Sequence, residues 1–382
     1  MKLALVHLGF PPEDLAGGAK YVYYLANELA MLGNKVTVFT YKAEETSNAM
    51  ESDYPLKENV TVERLNYRHL PVFREKFLVG LNHRLSKGFD LVIGFQSLYL
   101  TTTLALRHCR RKSIPYACTT FDLGVFSSAL TEKIRGRLQL SEVFKHMVFG
   151  TVISEKSRAV LAKKFPEFSD RIFTITPGID FNVFNAEKVN RNEAAEELAL
   201  DRKSRHLLFV GRIAPEKGIN YLFEAFEIVK QKNPDVKLVV VGEGNDHFVE
   251  NLKGQLEHRN LRESTVFLTM LSQQELASLY GCCDLTVLPS TTMAEGFGMV
   301  LLESLAMGTP VVTTRIAGAA YIVEGNPSFG SVVKEADSVE LANAIEKELK
   351  RKKKVDLKAL KNFSWKEIAR QYQKLIDNFA KI

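Results

Sequence analysis

The sequence predicts an α/β protein with two doubly wound parallel sheets, each covered by helices on both faces. Short apolar strands rich in Val, Ile and Leu alternate with segments of helical period along the whole chain, and these strands fall into two sets. The chain has 382 residues, more than the roughly 250 to 300 that one hydrophobic core sustains. Two α/β domains of similar size are therefore expected.

The strands follow in order. The first set consists of KLALVHL, KVTVFT, FDLVIGF and IPYACTT, and the second, which begins at about Arg205, consists of HLLFVG, VKLVVVG, STVFLTM, CDLTVLP and TPVVTT. Runs of this kind without alternating polar residues are typical of strands that are buried on both faces.

Between the two sets, residues 175–205 lack a strand pattern, contain Pro177-Gly178 and become polar after Asn190. We place the domain boundary near Ala186, so that the domains cover residues 1–186 and 187–365. The last segment, SWKEIARQYQKLIDNFAKI, predicts an amphipathic helix packed on the body of the protein. Its apolar stripe contains Trp365, Ile368, Ala369, Tyr372, Leu375 and Ile376.

The composition excludes several classes of protein. Hydrophobic residues make up 46% and charged residues 25% of the chain, as in ordinary globular proteins. Apolar stretches such as Val300 to Ala306 are too short to span a bilayer, and MKLALVHLGFPP is interpreted as a buried strand rather than a signal peptide. Four cysteines, of which Cys282 and Cys283 are adjacent, indicate buried thiols in a reducing compartment. A cytoplasmic protein is expected.

Ligands of open α/β sheets bind beyond the carboxyl ends of the strands, and the chemical signals lie at such positions. Gly17 and Gly18 precede a predicted helix, where they are either an anion-binding turn or a plain tight turn. In FVGRIAPEKG a strand ends at Gly211, and Arg212 and Lys217 bracket the following turn. These two cations suit a diphosphate leaving group, and the alternative is a pair of solvated loop cations.

The segment PSTTMAEGFGMVLLESLAMGTPVVTT is the most informative. Glu295 stands at the start of a predicted helix, and Glu303 lies further along the same helix among apolar residues. We expect Glu295 to bind hydroxyl groups and Glu303 to bind the two hydroxyls of a ribose. The alternative is structural: Glu303 would pair with a cation and Glu295 would stabilise the helix N-terminus.

At these residues the sequence resembles the retaining glycosyltransferases of family 4, which have the GT-B fold. The matching segments run in order from the GG of the first loop through ITPGID, GRIAPEKG, VVVGEG and EGFGMVLLESLAMGTPVV to the SW of the last helix. The resemblance implies two Rossmann-like domains that face a cleft, with the acceptor bound by the first, the donor bound mainly by the second, and residues 366–382 returning to the first.

The resemblance also implies transfer of a hexosyl group from a nucleoside-diphosphate sugar to a glycan or lipid-linked acceptor. Catalytic roles fall to Glu295, Arg212, Lys217 and, as an acceptor-side polar group, Asp122. The expected donor-binding residues are Gly17, Gly18, Gly211, Arg212, Lys217, Glu243, Met270, Leu271, Glu295, Gly296, Phe297, Gly298, Met299, Val300 and Glu303. No Asp-x-Asp pair occurs, so neither a metal ion nor another cofactor is expected.

One position departs from the family pattern. Many members carry a histidine in the loop that corresponds to CTTFDLG, where this chain has Phe121. The catalytic detail therefore differs here, and three alternatives stay open: a transferase, a sugar-nucleotide epimerase, and a catalytically impaired protein that only binds nucleotide sugars. A nicotinamide dehydrogenase is disfavoured because no Gly-x-Gly-x-x-Gly follows a strand.

The net charge is +6, and the excess lies in the first half of the chain. Between Arg64 and Lys112 only Glu75 and Asp90 are acidic. In this segment Phe73, Phe77, Leu78, Leu81 and Leu85 predict a helical stripe, which would either dock a basic face on an anionic membrane or pack into the core. His69, His83 and His108 are expected to face solvent or phosphates, and nucleic acid is not an expected partner.

Overall fold

The computed structural model describes residues 1–43, 52–70, 75–96, 99–121, 140–269, 271–293, 295–352 and 354–379. The chain divides into two units, unit 1 (Met1–Gly178 with Trp365–Ile382) and unit 2 (Ile179–Ser364). The boundary expected near Ala186 lies inside unit 2. Ile179 joins unit 2 because it forms a β-bridge with Ser364 and its N–H donates a hydrogen bond to the carbonyl of Phe363 at 2.6 Å.

Unit 1 contains a seven-stranded parallel sheet in the order β3-β2-β1-β6-β7-β8-β9. Leu3 in β1 pairs with Val36 in β2 and with Leu91 in β6. The strands are β1 (Lys2–Val6), β2 (Lys35–Tyr41), β3 (Val60–Leu65), β6 (Leu91–Phe95), β7 (Tyr116–Thr120), β8 (Gly150–Val152) and β9 (Ile172–Thr174). The four strands predicted in this half are confirmed.

In the first segment of unit 1, helices alternate with these strands along the chain. They are α1 (Gly17–Met31), α2 (Leu81–Leu85), α3 (Leu100–Arg111) and α4 (Glu155–Lys164), with a 3-10 turn at Pro166–Arg171. Helical residues also occur at 140–146.

The helical stripe predicted in the basic segment is wrong. Two antiparallel strands, β4 (Tyr67–Leu70) and β5 (Glu75–Leu78), form a hairpin there, and α2 follows. Leu78, Leu81 and Leu85 are buried in the core of unit 1. Their spacing fits a strand and a short helix as well as it fits one helix, while Phe73 lies outside the described residues.

Unit 2 contains a six-stranded parallel sheet in the order β12-β11-β10-β13-β14-β15. Its strands are β10 (Arg205–Val210), β11 (Val236–Val241), β12 (Thr265–Leu268), β13 (Leu285–Leu288), β14 (Val311–Thr314) and β15 (Gly330–Val333). The five strands predicted in this half are confirmed, and β15 was not predicted. Leu207 and Leu208, consecutive residues of β10 whose side chains point to opposite faces, are both fully buried, as expected for a sheet covered on both faces.

Helices cover both faces of this sheet. They are α5 (Arg191–Glu197), α6 (Ile219–Lys232), α7 (Asp246–His258), α8 (Gln273–Cys282), α9 (Met299–Ala306), α10 (Ala320–Gly325) and α11 (Ser338–Leu349). Short 3-10 turns occur at Ala186–Lys188, Pro215–Lys217, Arg262–Ser264 and Leu357–Phe363.

The last helix, α12 (Trp365–Phe379), packs against α1 in unit 1. Trp365, Ile368, Ala369, Tyr372 and Ile376 are buried, so the predicted stripe is confirmed except at Leu375, which is half-buried. All four cysteines are buried free thiols. Among the described residues, no helix is both long and apolar enough to cross a bilayer.

Candidate functional site

The candidate site in unit 2 lies at the point where the strand order reverses. The central strand β10 has β11 on one side and β13 on the other, so the loops after β10 and β13 diverge at the carboxyl edge. Such a switch point is where open α/β sheets bind ligands. Arg212 and Lys217 follow β10, and Glu295 follows β13.

Glycine permits the turn after β10 to lie close to the loop after β13. Gly218, which precedes α6, has φ +71°, and a Cβ atom there would lie 1.9 Å from the carbonyl oxygen of Pro289. Thr291 also donates its backbone N–H to the carbonyl of Glu216 at 2.9 Å. The two loops are therefore joined along their backbones.

Lys217 and Glu295 form an ion pair across these loops. Lys217 Nζ donates to Glu295 Oε2 at 2.6 Å, and Ser290 Oγ donates to the same oxygen at 3.0 Å. Their side chains are 19% and 10% exposed, so solvent screens this pair less than it screens a surface pair. The pair presents a cation and a carboxylate side by side, the chemistry that a phosphate and a sugar hydroxyl require.

Arg212 lies on the more open side of the same turn. It forms an ion pair with Glu216, one helical turn away in sequence, and its side chain is 65% exposed. Both residues line a pocket of about 550 Å³, together with Glu243, Asn245 and Phe248. Both predicted cations thus carry a carboxylate partner, and Arg212 has the greater freedom to turn towards a ligand.

Glu303 is buried, as the sequence predicts, and one of its partners is a phenol. Tyr280 Oη on α8 donates to Glu303 Oε2 at 3.1 Å. Burial, and then the nearby charge of Glu303, raise the pKa of Tyr280 well above its ordinary value, so its hydroxyl remains a donor. Tyr280 therefore orients one oxygen of the carboxylate.

The start of α9 is shaped by two more glycines. Gly298 precedes the helix with φ +92°, and a Cβ atom on Gly318 would lie 2.0 Å from the carbonyl oxygen of Gly296. Ala319 donates its N–H to the carbonyl of Phe297 at 2.8 Å. These contacts fix the loop, and Met299 and Val300 occupy the first turn of α9, where backbone N–H groups lack helical acceptors.

The other predicted residues are distributed as follows. Glu243 follows β11 and is exposed, whereas Leu271 follows β12 and is half-buried. Gly211, with φ +152°, lies directly after β10. Gly17 and Gly18 begin α1 and belong to unit 1. Asp122 and Met270 lie outside the described residues.

Sequence reasoning missed Glu216, Ser290 and Tyr280. The i to i+4 spacing from Arg212 could have indicated Glu216, whereas nothing in the sequence links Tyr280 to Glu303. It also missed His7, a buried histidine at the end of β1 whose ring centroid lies 5.6 Å from that of Phe121.

Among the described residues, no group of three or more His, Cys, Asp or Glu side chains is placed to hold a metal ion.

Two doubly wound units form the GT-B fold, and unit 2 carries cations and carboxylates at its switch point. The family model described as "Glycosyl transferases group 1" matches residues 190–371, and that of "Glycosyltransferase Family 4" matches residues 15–183. The two models together match both halves of the chain, which therefore belongs to the glycosyltransferases that these models describe and is an enzyme of the transferase class.

Relatives and solved structures agree with this assignment. A D-inositol 3-phosphate glycosyltransferase of Pseudarthrobacter chlorophenolicus is 28% identical in an alignment that covers 82% of this chain and 77% of the relative. A probable sucrose-phosphate synthase of Thermosipho melanesiensis is 25% identical in an alignment that covers 95% of this chain and 91% of the relative.

The structure resembles sucrose-phosphate synthase from Thermosynechococcus elongatus with a TM-score of 0.80 and 21% identity, covering 99% of this chain and 98% of that one. It also resembles Anabaena HepE in complex with UDP and glucose, with a TM-score of 0.78, 18% identity and coverage of 99% and 100%. The predicted fold class is confirmed.

Proposed function

We propose that this enzyme transfers a hexosyl group from a nucleoside-diphosphate sugar to a hydroxyl of a glycan or lipid-linked acceptor, with retention of configuration and without a metal ion. The proposal rests on the half-buried ion pair of Lys217 and Glu295 at the switch point of unit 2, in which Nζ of Lys217 lies 2.6 Å from Oε2 of Glu295. The structural likeness to HepE, which was solved in complex with UDP and glucose, supports a nucleotide sugar as the donor.

In this mechanism the bond between the anomeric carbon and the diphosphate breaks first. Lys217, Arg212 and the first-turn N–H groups of α9 stabilise the negative charge that develops on the leaving diphosphate. The acceptor oxygen bonds to the anomeric carbon on the face that the leaving group vacates, and its proton passes to a diphosphate oxygen. Attack on that face through an oxocarbenium-like state retains the configuration.

The two carboxylates have separate roles in this proposal. Glu295 accepts hydrogen bonds from hydroxyls of the donor sugar while its Oε2 remains bound to Lys217 and Ser290. Glu303, oriented by Tyr280, accepts hydrogen bonds from the ribose hydroxyls. Glu303 is 8% exposed, and a carboxylate offers about four acceptor positions, so it can accept from two ribose hydroxyls in addition to Tyr280.

The first test follows release of nucleoside diphosphate from UDP-, GDP- and ADP-sugars, together with thermal shifts. Glu295→Ala and Arg212→Ala should abolish the release of nucleoside diphosphate from the preferred donor. Arg202→Ala is a matched control, because Arg202 is also an exposed arginine paired with a glutamate in unit 2. Equal activity of the Arg212 and Arg202 variants would refute the clamp, and binding without turnover would indicate a catalytically impaired protein.

Metal independence and stereochemistry have their own measurements. Activity should persist in excess EDTA, and an activity that is lost in EDTA and restored by Mg²⁺ or Mn²⁺ would refute metal independence. The anomeric proton of the product, followed by NMR from the earliest time points, should show the configuration of the donor.

A membrane-bound acceptor is the remaining part of the proposal, and it rests on charge. Several cations of the basic segment are paired, Arg64 with Glu13 and Arg84 with Glu63, whereas Lys87, Arg111 and Lys112 are exposed. Exposed cations of this kind favour anionic lipid. Flotation with phosphatidylglycerol vesicles, but not with phosphatidylcholine vesicles, is the expected result, and absence of salt-sensitive flotation would refute it.

A further inference from the structure

A polar pocket lies at the amino edge of the unit 1 sheet, where β1, β2 and β3 begin. Its volume is about 380 Å³, which is within the range of small-molecule sites. Ligands of open α/β sheets normally bind at the opposite, carboxyl edge. The pocket is therefore separate from the edge at which a donor or an acceptor is expected. Its polar lining consists of Lys2, Lys35, Thr37, Glu58, Asn59 and Thr61.

Lys2 and Lys35 stand side by side at the start of β1 and β2. They are partners in the register of this parallel pair, and neighbouring strands lie about 4.8 Å apart. Register partners in a parallel pair point to the same face of the sheet, so both ammonium groups project from one face. Like charges that face each other across two strands destabilise a sheet. An anion bound between the two groups would remove this repulsion.

The protein supplies no counter-charge for these two lysines. Among the residues that the structure describes, neither ammonium group forms an ion pair or a hydrogen bond. Asp90 lies close to Lys2, but its carboxylate accepts from the backbone N–H of Lys2, at 2.7 Å. By contrast, Arg84 in the same unit is paired with Glu63. The positive charge of the pocket is therefore available to a ligand.

Hydroxyl and amide groups surround the two cations. Thr37 follows Lys35 by two positions and pairs with Thr61 of β3, so both hydroxyls are on the face that carries the lysines. Asn59 lines the pocket beside them. Within the described ranges, the side chains of Thr37, Thr61 and Asn59 have no hydrogen-bond partner. Two ammonium groups and three uncommitted donors suit the oxygens of a phosphate.

Two further side chains indicate a ligand larger than phosphate itself. The carboxylate of Glu58 repels a bare phosphate, but it accepts hydrogen bonds from hydroxyl groups, and no residue of the described chain pairs with it. Phe89 is half-buried, because it packs against the core of unit 1 and also lines the pocket. Its ring offers an apolar surface to carbon atoms. A phosphate ester with hydroxyl groups satisfies both residues.

We propose that this pocket binds a phosphate ester that carries hydroxyl groups, with the phosphate at Lys2 and Lys35 and a hydroxyl at Glu58. Such an ester is either a free sugar or polyol phosphate or the headgroup of a lipid. The inference goes beyond the proposed function, because the pocket contains none of the residues assigned to donor binding or transfer.

The binding test uses isothermal titration calorimetry of the full chain with D-glucose 6-phosphate, glycerol 3-phosphate and inorganic phosphate. The two esters should bind more tightly than inorganic phosphate, and Lys35→Gln should raise their Kd about tenfold or more, the effect of one lost charge-assisted contact. Lys42→Gln is the matched control, since Lys42 is also an exposed lysine but follows the carboxyl end of the same strand. It should leave the Kd unchanged.

Two results of this titration would overturn the proposal. One is an equal Kd for the wild-type protein and Lys35→Gln, with the fold of the variant confirmed by circular dichroism. The other is a Kd that rises in Lys217→Met or Lys42→Gln instead, because the ester would then bind elsewhere in the protein. Inorganic phosphate that binds as tightly as the esters would refute the role of Glu58 and Phe89.

Thermal melts provide a second readout in which the two effects have opposite signs. Without ligand, Lys35→Gln should raise the melting temperature, because it removes the repulsion from Lys2. With ester present, the wild-type protein should gain stability by binding and Lys35→Gln should gain little. A variant that melts lower than the wild-type protein without ligand and gains the same stability from the ester would contradict the proposal.

Vesicles distinguish the two sources of the ester. Binding of the soluble esters that depends on Lys35 identifies a free ligand. Flotation with phosphatidylinositol vesicles that is lost in Lys35→Gln and kept in Lys42→Gln, without binding of the soluble esters, identifies a lipid headgroup. Absence of both would overturn the proposal. No measurement here involves transfer, so failure of the donor panel alongside ester binding that depends on Lys35 would refute the proposed function alone.

Discussion

Tyr372 on α12 lies in a buried cluster of hydroxyl groups in unit 1. Its Oη is 3.0 Å from Tyr21 Oη, 3.0 Å from Thr119 Oγ1 and 2.8 Å from Thr151 Oγ1. The side chain is completely buried, so water cannot replace its hydroxyl. We expect Tyr372→Phe to destabilise unit 1 although the phenyl ring still fills the same space.

The size of the effect follows from the partners that remain. Thr119 and Thr151 lie 2.9 Å apart and still bond to each other, whereas Tyr21 Oη retains only a 3.5 Å contact to the carbonyl of Ile175. One stranded polar group costs about 1 to 3 kcal/mol. In a unit of this size each kcal/mol shifts the melting temperature by about 2 to 4 °C, so a fall of about 4 to 8 °C is expected for a loss of about 2 kcal/mol.

The assay uses the single tryptophan of the chain as a probe of unit 1. Trp365 stacks on Tyr24 with ring centroids 5.2 Å apart, so its fluorescence reports unfolding of that unit in denaturant. Replacing both tyrosines, Tyr21→Phe with Tyr372→Phe, removes the stranded hydroxyl and should recover part of the loss. Wild-type stability of Tyr372→Phe, or a double variant as unstable as the sum of the two single variants, would refute the reasoning.

Three further outcomes are expected in unit 2. Lys217→Met leaves the Glu295 carboxylate without its cation and should cost about 2 kcal/mol in urea unfolding followed by circular dichroism, together with loss of donor hydrolysis; unchanged stability would contradict the pair. Gly218→Ala should destabilise the protein by about 2 kcal/mol or more, because φ is +71° there and a new Cβ would lie 1.9 Å from a backbone oxygen. Gly254→Ala is the control: it lies in α7 with open space around it and should stabilise the protein by about 0.5 to 1 kcal/mol. Thermal melts of both variants test this pair of predictions. Burial lowers the pKa of His206 from its ordinary value of 6.5, so near that pH the unfolded chain binds a proton that the folded chain does not. The free energy of unfolding should therefore fall from pH 7.5 to pH 5.5. The fall should be less steep in His206→Leu.

The sequence predicts correctly those strands whose apolar runs fit a buried strand and no other element. VKLVVVG is too short and too β-branched to be anything but a buried strand, and it forms β11. Strands β8 and β9 have three residues each, which is too few for a periodic signal. The hairpin of β4 and β5 was mistaken for a helix because Phe77, Leu78 and Leu81 fit the spacing of both structures.

The sequence predicts which side chains of the site belong together more readily than how they are paired. Loops after parallel strands meet at one edge, so Lys217 and Glu295 could be assigned to the same edge of the sheet, whereas their ion pair was not predicted. The bond from Tyr280 to Glu303 joins α8 and α9, and no local pattern specifies it. His7 was hidden because KLALVHL reads as a continuous strand, while β1 ends at Val6 and leaves the histidine at the sheet edge.

Unit 1 is built from two separate segments of the chain, so during synthesis its last helix, α12, is made only after unit 2. Unit 2 is continuous from Ile179 to Ser364, whereas unit 1 lacks α12 until all of unit 2 has been translated. A nascent chain that stops at Ser364 would therefore contain every residue of the second unit and a first unit that exposes Tyr21 and Tyr24 where Trp365 should pack. Loss of α12 would thus expose buried aromatic side chains in the unit whose synthesis begins first.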